Sequence, residues 1–90
     1  MDNEEKIMGA LYKRGKRISE GIVYEAITYD LHDILKETQL IEDEAIPSLK
    51  TLVTKHYIEW DRRAIKITAI GLLYCQSAFE LGKGKMGFLK

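Results

Sequence analysis

The stretch Ala45–Gly71, AIPSLKTLVTKHYIEWDRRAIKITAIG, decides how this chain folds. In its first half Ile46, Leu49, Leu52 and Val53 recur at helical spacing, which turns one stripe inward and leaves Ser48, Lys50, Thr51, Thr54 and Lys55 facing out. From Tyr57 the period changes to two. Tyr57 and Ile58 lead into Trp60, a three-residue break of Asp61, Arg62 and Arg63 follows, and Ile65 and Ile67 then alternate with Lys66 and Thr68. A helix running into a tight β-hairpin is the pattern predicted.

Leu52, Lys55, Tyr57, Ile58 and Glu59 resemble the end of a winged-helix recognition helix and the start of its wing. Ile67, Thr68 and Gly71 are similar to that family's recurrent I/L-T-x-x-G, in which the threonine caps the helix after the wing. The match covers about a third of the chain. The resemblance implies an α+β, mostly α fold: a three-helix core, a short three-stranded sheet with a short wing, and an extra C-terminal helix.

Outward from this stretch, Asn3, Glu4 and Glu5 open a helix over 3–14 carrying Ile7, Met8, Ala10, Leu11 and Tyr12, with acids where the helix dipole favours them. Gly15 is expected to stop it, and Lys16–Ile18 to form the single strand that pairs with the wing. Ser19 then serves as an N-cap, with Ile18 reaching Val23 as a hydrophobic staple. Val23, Ile27, Leu31, Ile34 and Leu35 make one apolar stripe, so a helix is predicted over 20–37, with Asp30 as an alternative break and cap. Thr38–Glu44 is the connector. Pro47 suits a first turn and not a helix interior, which puts the third helix start near 44–47 and leaves about seven residues between helices, more than a compact helix-turn-helix uses. The last helix, Ala69–Leu81, is apolar on more than one face, and Leu72, Leu73, Cys75 and Phe79 are expected to form a homodimer contact. The domain is expected to span 1–82. Residues 83–90, with Gly82 just before them, read as a mobile basic tail rich in glycine and lysine.

Fourteen basic and fourteen acidic residues give a formal net charge of zero, where a nucleic-acid-binding domain is expected to be basic. The distribution is lopsided. Eight carboxylates and one lysine lie between Glu20 and Leu49, so that segment carries −7 and the remainder +7. No apolar run is long enough for a bilayer, the start is acidic, and the single cysteine has no partner, so a cytoplasmic protein with no membrane association is expected.

Lys13, Arg14, Lys16 and Arg17 form a cationic cluster that is either a phosphate contact acting with Arg62 and Arg63 or a solvated turn balancing the acidic helix. Ser48, Lys50, Thr51 and Lys55 are the candidate DNA contacts of the third helix. It has no Arg, Asn or Gln for bidentate base contacts, and Glu42, Asp43 and Glu44 at its entry repel phosphate. His32, Asp33 and Glu37 lack a second histidine at ligand spacing, His56 reads as a helix cap, and Cys75 as a buried inert thiol. There is no glycine-rich phosphate loop and no nucleophile elbow, so neither a cofactor nor an enzymatic activity is expected. The function implied by the resemblance is double-stranded DNA binding by a small dimeric transcriptional regulator. The alternative is a winged-helix protein-interaction module without nucleic acid, docking a partner through the acidic helix 20–37 or the C-terminal helix.

Overall fold

Helix α1 (Asn3–Ile18) is followed by strand β1 (Thr28–Asp30), helices α2 (Leu31–Thr38) and α3 (Glu42–Thr54), strands β2 (Ile58–Asp61) and β3 (Ala64–Ile67), and helix α4 (Ala69–Cys75), which continues as a π-helical segment, Gln76–Leu81. The structure, a computed structural model, describes residues 2–18 and 26–81, the side chains of 17, 18, 80 and 81 apart. The result is a small α+β protein, mostly helical, with a three-stranded antiparallel sheet of order β1-β3-β2. Thr28, Tyr29 and Asp30 pair with Lys66, Ile65 and Ala64, and Ile58 to Asp61 pair with Ile67 to Ala64. This arrangement is compatible with winged-helix architecture.

Helix α1 packs against α2, α3 and α4. Its inward residues Ile7, Met8 and Leu11 meet Ile34 of α2, Leu49 and Leu52 of α3, Ile58, Ile65 and Ile67 of the sheet and Cys75 of α4, all essentially inaccessible to water. Each such aliphatic side chain contributes about 1.5–3 kcal/mol by leaving water. The helix starts where Asp2 accepts a hydrogen bond from the Glu5 N–H at 2.8 Å, while Glu5 reaches back to the Asp2 N–H at 3.4 Å, a reciprocal cap.

Four expectations are corrected. Gly15 does not stop α1, which runs to Ile18, so Lys16–Ile18 is helix and not strand. Gly15 lies four residues after Leu11 on the buried stripe, and a mid-helix glycine costs only about 1 kcal/mol, less than that stripe gains by packing. The strand that completes the sheet is β1, drawn from the predicted helix 20–37. Ile27 and Tyr29 are buried while Thr28 and Asp30 are exposed, the alternation of a strand; the next helix begins only after Asp30, whose side chain accepts from the His32 N–H at 2.9 Å. The Ser19 cap, the Val23 staple and the first part of that predicted helix lie outside the described residues.

The connector between α2 and α3 is three residues, not seven. Gln39 takes a left-handed conformation (φ 60°), the Leu40 N–H returns to the Leu35 carbonyl, and α3 opens at Glu42 with the Glu44 carboxylate accepting from the Ile41 N–H at 3.1 Å. Pro47 therefore sits inside α3. Pro47 and Asp43 are both exposed, which puts the carbonyl left without its donor within reach of water. Lastly, the hairpin turn is the two residues Arg62 and Arg63, with Asp61 paired in β2.

Helix α3 ends in a Schellman motif: His56 takes φ 63°, its N–H donates to the Val53 carbonyl and the Tyr57 N–H to that of Leu52. The Thr68 hydroxyl ties this end to α4, donating to the His56 carbonyl and accepting from the Gly71 N–H at 2.9 Å. Beyond Cys75 the π-helical winding turns positions five apart toward one face, so Phe79 meets Tyr74 edge-on at 6.2 Å and Tyr12 at 6.3 Å. No helix among the described residues is long and apolar enough to cross a membrane. The basic tail lies outside them.

Candidate nucleic-acid interface

The end of β1, the starts of α2 and α3 and the hairpin tip converge on one corner. Leu31, Leu35, Ile46 and Trp60 line a cavity of about 310 Å³ there, with His32, Glu42, Arg62 and Arg63 also on its walls. The tip is held by backbone. Trp60 Nε1 donates to the Arg62 carbonyl at 2.7 Å, and the Leu31 N–H donates to the Arg63 carbonyl at 2.7 Å, so the turn is pinned to its own strand and to the first residue of α2. Arg62 adopts φ 59°, a conformation that costs a non-glycine residue roughly 1–2 kcal/mol. The arginine that bears this strain is exposed.

The expected DNA contacts fall into three groups. Lys50, Arg62 and Arg63 are exposed; Lys50 and Arg62 have no ion-pair partner among the described residues, and Arg63 Nε lies 3.7 Å from Asp30 Oδ1. A second group is engaged within the fold. Lys55 Nζ is 2.8 Å from Glu4 and 6.0 Å from the Tyr57 ring centroid, and the Glu4 hydrogen bond holds its pKa above the ordinary lysine value. Arg14 reaches Glu37 at 2.9 Å and Asp33 at 3.8 Å, tying α1 to α2 and partly neutralising the acidic face expected to receive a partner. Ser48 and Thr51 are half-buried, and the Thr51 hydroxyl donates to the Pro47 carbonyl of its own helix at 3.1 Å.

The third group is elsewhere. Lys13 and Lys16 line a groove along α1 with Gly9, Tyr12 and Phe79, and no residue lines both this groove and the cavity at the hairpin tip. The expectation that the 13–17 cluster acts with the wing arginines is therefore not supported by their placement; the Arg17 side chain lies outside the described residues. Sequence reasoning also passed over His32, dismissed as a metal ligand, although Asp30 capping sets it beside both arginines. Its signal was the D-x-H at the start of α2. Among the described residues no group of three or more His, Cys, Asp or Glu is arranged to hold a metal ion.

On α4 the expected dimer residues separate. Leu73 is 65% exposed, with Ile70 beside it at 53%, whereas Leu72 and Phe79 are half-buried against the core. Cys75 is wholly buried and its thiol faces the Met8 carbonyl, so it has no surface to offer a partner and is dropped from the dimer set. Burial pushes that thiol up to about 12. Val53, expected inward, is 37% exposed on the outer side of α3 near Lys50.

No family model, curated protein or solved structure matches this chain.

Proposed function

We propose that this chain is a winged helix that binds double-stranded DNA, with α2 and α3 as the helix-turn-helix and β2–β3 as a short wing. The observation that carries the reading is the three-residue turn between α2 and α3 together with the wing tip lying beside the first turns of both helices. A compact helix-turn-helix needs that short a turn.

Lys50, Arg62 and Arg63, with His32, then face the phosphate backbone. Such contacts fix position and supply affinity without reading sequence. Base readout is expected to be slight, because the outward side of α3 has no bidentate side chain and its threonine hydroxyls bond their own helix. Ile70 and Leu73 are the proposed dimer contact, and no reaction is assigned. A fluorescence-anisotropy titration against a random-sequence duplex tests the interface. The Lys50→Ala, Arg62→Ala, Arg63→Ala triple variant is expected to lose most affinity, and Lys13→Ala, Lys16→Ala almost none. The reverse ranking sinks the assignment of the site.

A second reading, a protein-interaction module, is favoured by one specific feature. Glu42, Asp43 and Glu44 are exposed at the start of α3, where a phosphate backbone meets like charge. A protein partner captured from nuclease-treated lysate, with no duplex binding at low salt, is the result expected of that reading.

A further inference from the structure

The corner between the hairpin and the two helices carries more than phosphate contacts require. Leu35 of α2, Ile46 of α3 and Trp60 of β2 are each half-buried, and with the buried Leu31 they wall a cavity of about 310 Å³ instead of closing on one another. Three elements thus hold apolar surface open at one place, in a space that suits the body of a small molecule. The Trp60 ring is kept on its wall by Nε1, which donates to the Arg62 carbonyl at 2.7 Å.

The polar side chains on the same walls carry both signs. Arg62 and Glu42 are exposed, line this cavity together and have no ion-pair partner among the described residues, so they do not neutralise each other. Arg63 is loosely matched, 3.7 Å from Asp30. Backbone donors here are already spent: the Leu31 N–H bonds the Arg63 carbonyl and the His32 N–H the Asp30 side chain, which leaves an incoming anion the guanidinium groups and the His32 imidazole. Arg62 is also held at φ 59° in a two-residue turn where glycine is favoured, so the fold bears a cost at the residue that supplies the unmatched positive charge.

We propose that this cavity binds a free α-amino acid with an apolar side chain: its carboxylate on Arg62 and Arg63, its ammonium on Glu42, and its side chain between Leu35, Ile46 and Trp60. An apolar carboxylate alone faces like charge at Glu42, and an amine alone leaves the arginines unmatched. A ligand with both charges at one end and apolar surface at the other answers every wall. Where the same arginines contact phosphate, as proposed above, amino acid and duplex compete for them. The site itself does not rest on that reading, and its test uses no duplex.

Trp60 is the only tryptophan in the chain, so its emission reports on the cavity directly. Titration of the full chain with L-leucine and with L-phenylalanine is expected to change that emission saturably, with half-saturation at about 0.1–1 mM for ligands of this size. Glycine has the charged head and no side chain, while isocaproate and isoamylamine are leucine without its ammonium and without its carboxylate; each binds at least about tenfold more weakly than leucine. Arg62→Gly removes the guanidinium at a backbone conformation that glycine accepts, so the fold is kept; it weakens leucine about tenfold and leaves isoamylamine unchanged. Glu42→Gln weakens leucine likewise and does not weaken isocaproate. Lys50→Ala, outside the cavity's walls, leaves leucine binding as in wild type. No saturable response to either amino acid by about 10 mM, glycine binding as well as leucine, or a leucine affinity indifferent to both Arg62→Gly and Glu42→Gln overturns the proposal.

Discussion

Gly71 sits against the backbone of Tyr57 so closely that a Cβ at this position would overlap the Tyr57 carbonyl oxygen and crowd Ile67. That contact, with the Thr68 hydroxyl bridging His56 and Gly71, gives the T-x-x-G pattern its physical meaning: the threonine caps α4, and the glycine lets α4 approach the end of α3. Gly71→Ala is expected to destabilise by about 1–3 kcal/mol, lowering Tm by several degrees, because backbone and not a flexible side chain must move. An unchanged Tm would show that the two segments are not in contact. Cys75 gives a pH prediction. Burial raises its pKa from 9.0 to about 12, so the unfolded chain releases this proton first and the folded state is disfavoured as pH rises between those values. Stability is fully present below pH 9.0 and falls across the window with a contribution of up to ~1.4 kcal/mol per pH unit. Urea unfolding from pH 8 to 12 on wild type and Cys75→Ala isolates it: the variant's stability should fall less steeply, and equal slopes would contradict the burial of the thiol.

At the scale of elements, α3 carries a proline in its interior and ends on a left-handed histidine, two local costs that tertiary packing outweighs. Pro47→Ala restores a donor to the Asp43 carbonyl and is expected to stabilise by roughly 1–3 kcal/mol in chemical denaturation. His56→Gly should add up to about 1 kcal/mol by relieving the positive φ. Destabilisation in either would mean that α3 does not run from Glu42 through a left-handed stop. The hairpin and α4 were legible in the sequence because their signals are local: the period-two alternation around Trp60 and Ile65, and the Thr68 cap. The origin of the third strand was not. Ile27, Leu31 and Ile34 fit a helical stripe as well as a strand running into a helix, and only pairing with Lys66, Ile65 and Ala64, remote in sequence, decides between them. Gly15 and Pro47 misled in the same way, since each acts as a breaker only where packing on the buried face is weak. Within the candidate site, Arg62 and Arg63 were readable from the turn, whereas the pairing of Arg14 with Glu37 and of Lys55 with Glu4 spans 23 and 51 residues and leaves no local mark.

Over the whole molecule, charge is separated more than it is accumulated. Part of the separation is closed internally by Arg14 and Lys55, which is why cations adjacent in sequence do not gather on one surface. What remains exposed is a small cationic tip beside α3 and the Ile70–Leu73 face of α4. If that last face joins two copies, Leu73→Glu should shift the dimer to monomer in light scattering at high salt, where apolar contacts persist and charge pairing is screened. A chain already monomeric under those conditions removes the α4 dimer. The central claim, that wing and third helix together meet a phosphate backbone, is tested most directly by the salt dependence of duplex binding. With Lys50, Arg62 and Arg63 as the contacts, log K should fall linearly with log salt at a slope of about −3, reduced by about 2 in the Arg62→Ala, Arg63→Ala variant. No binding at low salt, or a slope unaltered by the loss of both arginines, would contradict it.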